Sequence, residues 1–279
     1  MALTLPSSLS PSRLSSFTAC GLQFRFTAID GLPEPPTVAA TRGTLVHAAL
    51  EQLFTLPAPE RVPAAAAGCL DHAVARLREH PDWTGLGLDP DGEAALRAEA
   101  AALVERYFLL EDPRTVHPVG LELKLEVEVG GVRLRGIIDR LDLVDGDLVV
   151  TDYKTGRAPG EGWARRQMTG VHLYSLMCER WFGRRPVRVQ LLHLAEPVAI
   201  VAEPSDQSSR GLSRRLEAVW RAVETACERE DFRPRPSSRC GWCAFQRWCP
   251  AFGGDPAAAV VDLRRDEVAA TGQATLLEV

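Results

Sequence analysis

The sequence contains almost no lysine. Of its 32 basic residues only Lys124 and Lys154 are lysines, and all the others are arginines. Arginine stays protonated in proteins, whereas a lysine amine loses its proton readily when it is desolvated or lies near other charges. In a chain whose usual cation is arginine, a retained lysine is therefore a candidate functional residue.

Long apolar runs are also absent. No stretch approaches the roughly 18 apolar residues that a membrane-spanning helix needs, and residues 1–13 have no basic segment ahead of an apolar core. We therefore expect a cytoplasmic protein with no membrane partner. In such a protein the 7 cysteines, an odd number, predict free thiols or metal ligands rather than a disulfide framework.

A Walker A loop, which binds nucleotide phosphates, is missing. It requires Gly-Lys-Ser/Thr, but the residues before the two lysines are Leu123 and Tyr153. The chain therefore encodes no ATP-driven motor of this type. Any helicase activity would have to come from a partner chain.

The net charge of -5 argues against a protein coated with positive potential and restricts nucleic-acid binding to a local patch. Residues 157–188 are the candidate patch, because they hold seven arginines against two glutamates. Within it, Arg165 and Arg166 are predicted to bind substrate. A solvated helix face with flanking loops explains the same charges.

Hydrophobic periodicity predicts an α/β protein. Between about 41 and 110 apolar residues recur at helical spacing. From about 118 apolar and polar residues alternate, with turn signals at Gly130-Gly131 and Asp145-Gly146-Asp147, so three antiparallel strands are expected. The later predicted elements are a helix near 163–182, strands near 187–195 and 198–202, and a helix near 206–230.

Two aspartates follow apolar runs on neighbouring predicted strands, Asp139 on one and Asp152 on the next. Because side chains alternate along a strand, Asp152 and Lys154 project to one face and Tyr153 to the other. Clustered carboxylates suit Mg²⁺ or Mn²⁺, and a lysine can orient or deprotonate a water molecule. A surface hairpin with an exposed Asp-Lys pair is the alternative.

The order of these motifs resembles the RecB-like exonucleases of the PD-(D/E)XK nuclease superfamily, a plan shared by the CRISPR-associated adaptation nucleases and AddB. The resemblance implies a restriction-endonuclease-like core with a central mixed sheet flanked by helices, preceded by a helical region. The motifs are Gly43…His47, Gly-Ile-Ile-Asp at 136–139, Asp-Tyr-Lys-Thr-Gly at 152–156 and Gln167…Tyr174.

The resemblance also implies roles for individual residues. Asp139 and Asp152 would bind Mg²⁺ or Mn²⁺ with His47 as an additional ligand, and Lys154 would be the catalytic lysine. Glu122 matches the family pattern less securely and ranks last among the site acids.

Tyr174 and Gln167 would contact the substrate. The family usually has a glutamine four residues before this tyrosine, where this chain has Gly170. Gln167 lies seven residues before it, on the same helical face.

Four cysteines form a candidate metal site. Cys240, Cys243 and Cys249 follow a C-x2-C-x5-C spacing, and Cys20 lies far upstream. The spacing alone allows zinc as well as iron. The resemblance favours a [4Fe-4S] cluster, since AddB and the CRISPR-associated enzymes bind one through the same split arrangement. Such a cluster would join both ends of the chain in one subdomain.

Aromatic residues are interleaved with these cysteines, namely Trp242, Phe245 and Trp248. They would either shield the cluster from water or stack unpaired bases, and shielding is the favoured interpretation.

These features predict a metal-dependent DNA exonuclease that acts on single-stranded DNA or DNA ends in repair or recombination, with a helicase or repair protein as a partner. One nuclease domain is expected over 1–255, followed by a tail over 256–279. The alternative is a non-catalytic iron-sulfur or zinc protein that binds nucleic acid on the same fold.

Overall fold

The structure, a computed structural model, describes residues 3–158 and 161–263, and for residues 161–169 it describes the backbone alone. The chain divides into two compact units, one of Met1–Glu34 with Leu216–Val279 and the other of Pro35–Arg215. No helix among the described residues combines the length and apolarity needed to cross a bilayer. The boundary expected between a domain over 1–255 and a tail stays a prediction.

The helices and strands follow the predicted order. They are α1 (Pro11–Ala19), α2 (Gly21–Phe24), α3 (Val38–Thr55), α4 (Pro63–Leu77), α5 (Pro81–Thr84), α6 (Pro90–Tyr107), β1 (Pro118–Val129), β2 (Val132–Val144), β3 (Asp147–Lys154), α7 (Glu161–Phe182), β4 (Arg188–His193), β5 (Val198–Ala202) and α8 (Asp206–Arg229).

The five strands form one mixed sheet in the order β1-β2-β3-β4-β5. Strands β3 and β4 are parallel, and every other neighbouring pair is antiparallel. The two predicted hairpin turns hold residues with positive φ, including Gly131 at 77° and Gly146 at 86°, which glycine adopts without strain. The predicted α/β class with a central mixed sheet flanked by helices is confirmed.

Helices α3, α4 and α6 pack together and bury a continuous apolar cluster against part of the sheet. Tyr153 of β3 and Leu192 of β4 belong to this cluster. Helix α7 connects the parallel strands and contacts β1, β3 and β4. Because α7 follows β3 in the chain, it begins beyond the carboxyl end of β3, where Asp152 and Lys154 lie.

Candidate active site

Three acidic residues lie in a row across adjacent strands. The register that pairs Leu121 with Arg140 and Leu123 with Ile138 sets Glu122 of β1 opposite Asp139 of β2. The register that pairs Arg140 with Thr151 likewise sets Asp139 opposite Asp152 of β3. Neighbouring strands are about 5 Å apart, so the sheet gathers the three carboxylates into one small volume.

His47 of α3 completes this group. Its Nδ1 lies 3.5 Å from Asp139 Oδ2 and 3.9 Å from Glu122 Oε1. One ligand atom from each of these three residues lies within 4.8 Å of the other two. Glu122, the acid that sequence reasoning ranked last, is therefore in contact range of two predicted metal ligands.

Glu122 has an unusual backbone conformation for a strand residue. Its φ is 42°, in a left-handed region that residues other than glycine rarely occupy and that costs about 1–3 kcal/mol. Strand β1 also has a register irregularity between Pro118 and Gly120. The residue with the strained backbone, Glu122, is therefore also the one whose carboxylate belongs to the site.

The main chain of Tyr153 holds two of these side chains in place. Its N–H donates a hydrogen bond of 2.7 Å to Asp139 Oδ2, and its carbonyl oxygen lies 3.1 Å from His47 Nε2. When Nε2 carries the proton it donates to this carbonyl, and Nδ1 then turns its lone pair toward the carboxylates. Histidines that bind metals are commonly oriented in this way.

Lys154 lies next to Asp152, as the strand alternation predicts. Its Nζ is 2.5 Å from Asp152 Oδ2, whereas the ring of Tyr153 packs into the helical cluster. The lysine side chain is 38% exposed and the aspartate side chain only 8% exposed. The ammonium group therefore remains accessible to solvent and substrate while it pairs with a buried carboxylate.

Burial and crowding of like charges raise the pKa of two site carboxyls. Burial raises the pKa of Asp152 to about 6 although Lys154 opposes the shift. Burial and the Asp139 carboxylate raise the pKa of Glu122 to about 7. Burial lowers the pKa of His47, but the hydrogen bond and charge of Asp139, together with the charges of Asp152 and Glu122, outweigh it, so the net shift is upward. A cation bound among these groups would relieve the repulsion.

Tyr174 of α7 approaches the same site. Burial and then the charges of Asp152 and Asp139 raise the pKa of its hydroxyl, so the phenol stays protonated. Gly136 of β2 makes room for it, because a Cβ there would come within 2.9 Å of Tyr174 Cε1. The side chains of the other predicted substrate-binding residues, Gln167, Arg165 and Arg166, lie outside the described residues.

A buried arginine, which the sequence reasoning did not single out, lies behind the site. Arg140 is 1% exposed, and its Nε lies 2.8 Å from Asp142 Oδ1. Its Nη1 donates to the Tyr153 hydroxyl at 2.7 Å and to Glu111. Its guanidinium also lies over the ring of Phe54, 4.5 Å from the centroid. This network anchors the side chain of Tyr153, whose main chain forms hydrogen bonds with His47 and Asp139.

The four predicted cluster cysteines all belong to the unit of Met1–Glu34 and Leu216–Val279. Burial raises the pKa of the Cys243 thiol, and the charges of Cys20, Cys240 and Cys249 raise it further, so the four sulfurs lie near one another. The N–H of Arg235 donates to Cys20 Sγ at 3.5 Å, and the N–H of Ser237 donates to Cys240 Sγ at 3.3 Å.

The aromatic residues beside these cysteines differ in exposure. Phe245 and Trp248 are 1% and 5% exposed, and the Phe245 ring packs 5.1 Å from that of Phe26. Trp242 is 86% exposed. Shielding therefore fits Phe245 and Trp248, but it is wrong for Trp242.

Comparison with known proteins gives the chain a family. The sequence profile of the PD-(D/E)XK nuclease superfamily matches residues 8–250. The gene 69 protein of Mycobacterium phage D29 is 24% identical over 87% of this chain and 96% of its own length. For the gene 69 protein of Mycobacterium phage L5 the identity is 29%, and the match spans 47% of this chain but only 44% of that protein.

A solved structure has a similar fold. A protein of Eubacterium rectale that was provisionally assigned as an exonuclease superimposes with a TM-score of 0.51, covering 86% of this chain and 88% of its own at 13% identity. At this identity the likeness concerns the fold alone.

Proposed function

Since the chain belongs to the PD-(D/E)XK nuclease superfamily, we propose that it is a metal-dependent DNA exonuclease. It would hydrolyse phosphodiester bonds of single-stranded DNA or DNA ends. The observation that carries the proposal is the convergence of Glu122, Asp139, Asp152 and Lys154 with His47 at one place on the sheet.

The ligand set fits Mg²⁺ or Mn²⁺. Carboxylate oxygens suit both ions, and imidazole suits Mn²⁺ as well. Asp139, Asp152 and Glu122 would bind through oxygen and His47 through Nδ1. The raised pKa values of Glu122 and Asp152 support the fit, because a cation would stabilise both groups in their charged form. When bound, the ion would lower the pKa of a water molecule and neutralise charge on the phosphate.

Lys154 would position the attacking water. Its ammonium is held by Asp152 at 2.5 Å and is exposed on its other side, so it can donate to a water or to a phosphate oxygen. A lysine amine can also accept a proton when its surroundings lower its pKa, which an arginine cannot do. This difference accounts for a lysine at this position in an arginine-rich chain.

Residues of α7 would guide the substrate. Burial, followed by the charges of Asp152 and Asp139, raises the pKa of the Tyr174 hydroxyl, so it stays protonated and would donate a hydrogen bond to a phosphate oxygen. Gln167, Arg165 and Arg166 would contact the strand from the preceding turns of the helix.

We further propose that Cys20, Cys240, Cys243 and Cys249 bind a [4Fe-4S] cluster. The four cysteines share one compact unit, and burial and then the other three raise the pKa of the Cys243 thiol, which supports one common metal site. The resemblance to AddB favours iron over zinc. The N–H donors to Cys20 and Cys240 are of the kind that tune iron-sulfur clusters.

Linear and circular single-stranded DNA of the same length test the exonuclease assignment. In Mn²⁺ or Mg²⁺ the linear strand, labelled at either end, should be degraded, while the circle, which has no ends, persists. Equal degradation of both forms would show an endonuclease. Intact linear DNA, duplex DNA and RNA under all metal conditions would defeat the nuclease assignment itself.

A further inference from the structure

A basic cleft of about 580 Å³ lies between α7 and the start of α8, apart from the residues of the candidate active site. Arg180 lines it from the last turn of α7, Arg185 from the segment after that helix, and Arg210 and Arg214 from α8. Glu179 and Asp206 are the acids in its lining, so the cleft has an excess of positive charge.

The charges of this cleft are incompletely paired. Asp206 forms an ion pair with Arg185 at 2.5 Å, yet Arg185 Nη1 is buried and has no hydrogen-bond partner among the described residues. Within the described parts of the chain, no ion pair within 4.0 Å is formed by the other three arginines of the cleft, Arg180, Arg210 and Arg214. An anion in the cleft would satisfy these donors.

The spacing of the arginines on α8 points the same way. Arg210 and Arg214 are four residues apart, so their side chains are neighbours on one helical face, and like charges at this spacing destabilise a helix. Arginine forks bind phosphate with two parallel hydrogen bonds. A phosphate between the two side chains would replace their repulsion with attraction.

Exposed aromatic residues lie on the same turn of α7 as Arg180, although they do not line the cleft themselves. Trp181 and Phe182, which follow Arg180 on the last turn of α7, are 58% and 41% exposed. Arginines combined with exposed aromatic rings are typical of surfaces that bind single-stranded nucleic acids, where the backbone follows the charges and bases stack on the rings. Trp181 lies seven residues beyond Tyr174, on the same helical face and roughly 10 Å along the axis.

We propose that this cleft binds the phosphate backbone of a single-stranded nucleic acid. Arg185, Arg210 and Arg214 contact phosphates, and Trp181, on the Tyr174 side of α7, stacks on a base where the strand leaves the cleft toward the active site. The cleft is a second contact for the strand whose end enters the active site, and in this respect it rests on the proposed nuclease function.

Fluorescence anisotropy with a labelled single-stranded oligonucleotide in EDTA measures binding without cleavage. The test variant is Arg210→Gln/Arg214→Gln, because both arginines are exposed and glutamine is a good helix former. Each phosphate contact on a single strand contributes about 0.7 to the slope of log affinity against log salt. The double variant should therefore lose about 1.4 from this slope and bind roughly 25-fold more weakly near 0.1 M salt.

The matched control is Arg78→Gln/Arg97→Gln. It removes the same charge from two exposed arginines that pair with Glu93 and Asp71, and it should change affinity less than about twofold because it removes no phosphate contact. Trp181→Ala should weaken binding to a single strand but not to a duplex, whose bases are already stacked.

Wild-type affinity and slope in Arg210→Gln/Arg214→Gln, or equal losses in the test and control variants, would overturn the proposal. Hydrolysis of bis(p-nitrophenyl) phosphate in Mn²⁺ separates it from the proposed function, because this small substrate reports the active site alone. The test variant should hydrolyse it at the wild-type rate. If the wild type leaves this substrate and all DNA and RNA intact in every metal condition but binds the oligonucleotide through the cleft, the nuclease assignment fails and the cleft stands.

Discussion

Replacing Arg140 with methionine tests the network that supports the candidate site from behind. The variant keeps a long apolar stem but removes the guanidinium, which leaves the Asp142 carboxylate, 4% exposed, buried without its partner. Removing one partner of a buried ion pair costs about 3–5 kcal/mol of unfolding free energy. Since domains are stable by only roughly 5–15 kcal/mol, we expect a large loss of stability.

Urea denaturation followed by far-ultraviolet circular dichroism measures this loss. Arg135→Met is the matched control, because Arg135 lies on the same strand, is 63% exposed and pairs with Glu126 at 2.7 Å. An exposed pair contributes about 0–1 kcal/mol. Both substitutions replace an arginine of the same strand with methionine. Any difference between their losses of unfolding free energy therefore reflects the burial of Arg140.

The cost of Arg140→Met should also depend on pH. Burial raises the pKa of Asp142, and Arg140 opposes the shift, so the folded-state pKa rises further in the variant. A carboxyl whose folded-state pKa is raised contributes stability at low pH and loses it as the pH rises through that pKa. The unfolding free energy lost by Arg140→Met should therefore be larger near neutral pH than in mild acid. Adding Asp142→Asn to this variant should recover part of the loss, because it removes the unpaired charge. A loss below about 1 kcal/mol, no larger than that of Arg135→Met, would refute the reasoning.

Three further predictions concern the metal sites. Lys154→Arg keeps the positive charge but removes the titratable amine, so turnover of single-stranded DNA should fall roughly 10²–10⁴-fold; full activity in a nuclease assay would mean that the position needs only charge. Calorimetry should show Mn²⁺ binding more tightly as the pH rises, because the ion competes with protons on Asp152 and Glu122, whose pKa values are about 6 and 7. Glu122→Gln should make that dependence shallower, and an unchanged dependence would remove Glu122 from the ligand set. Anaerobically purified protein should be brown with broad visible absorbance, which Cys243→Ser should diminish; a colourless wild type holding stoichiometric zinc would contradict the cluster.

The sheet and the order of the site residues could be predicted because the relevant signals are local. Alternation along β3 sets Asp152 and Lys154 on one face and Tyr153 on the other. Glycines in the hairpin turns fix the pairing of β1 with β2 and of β2 with β3. The position of Asp139 opposite Asp152 then follows from the register.

Other features depend on contacts that alternation does not encode. Glu122 reaches His47 from a strand position with positive φ, whereas Glu126 and Glu128 on the same strand looked equally acidic in sequence. Arg140 is buried beside Glu111, which follows α6, and the Tyr153 hydroxyl of β3, and both contacts come from other elements. Trp242 lies between two cysteines in the sequence, which predicted burial, but its side chain is exposed.

Cleavage of end-labelled linear single-stranded DNA in Mn²⁺ by Asp152→Asn tests the central claim most directly. The substitution removes a buried carboxylate charge at nearly constant shape, and Asp145→Asn is the control, since Asp145 lies in the β2-β3 turn with φ 51°, a conformation that asparagine tolerates. Wild type and Asp145→Asn should release nucleotides from the strand while Asp152→Asn leaves it intact and remains folded. Degradation by Asp152→Asn at the wild-type rate would contradict the account.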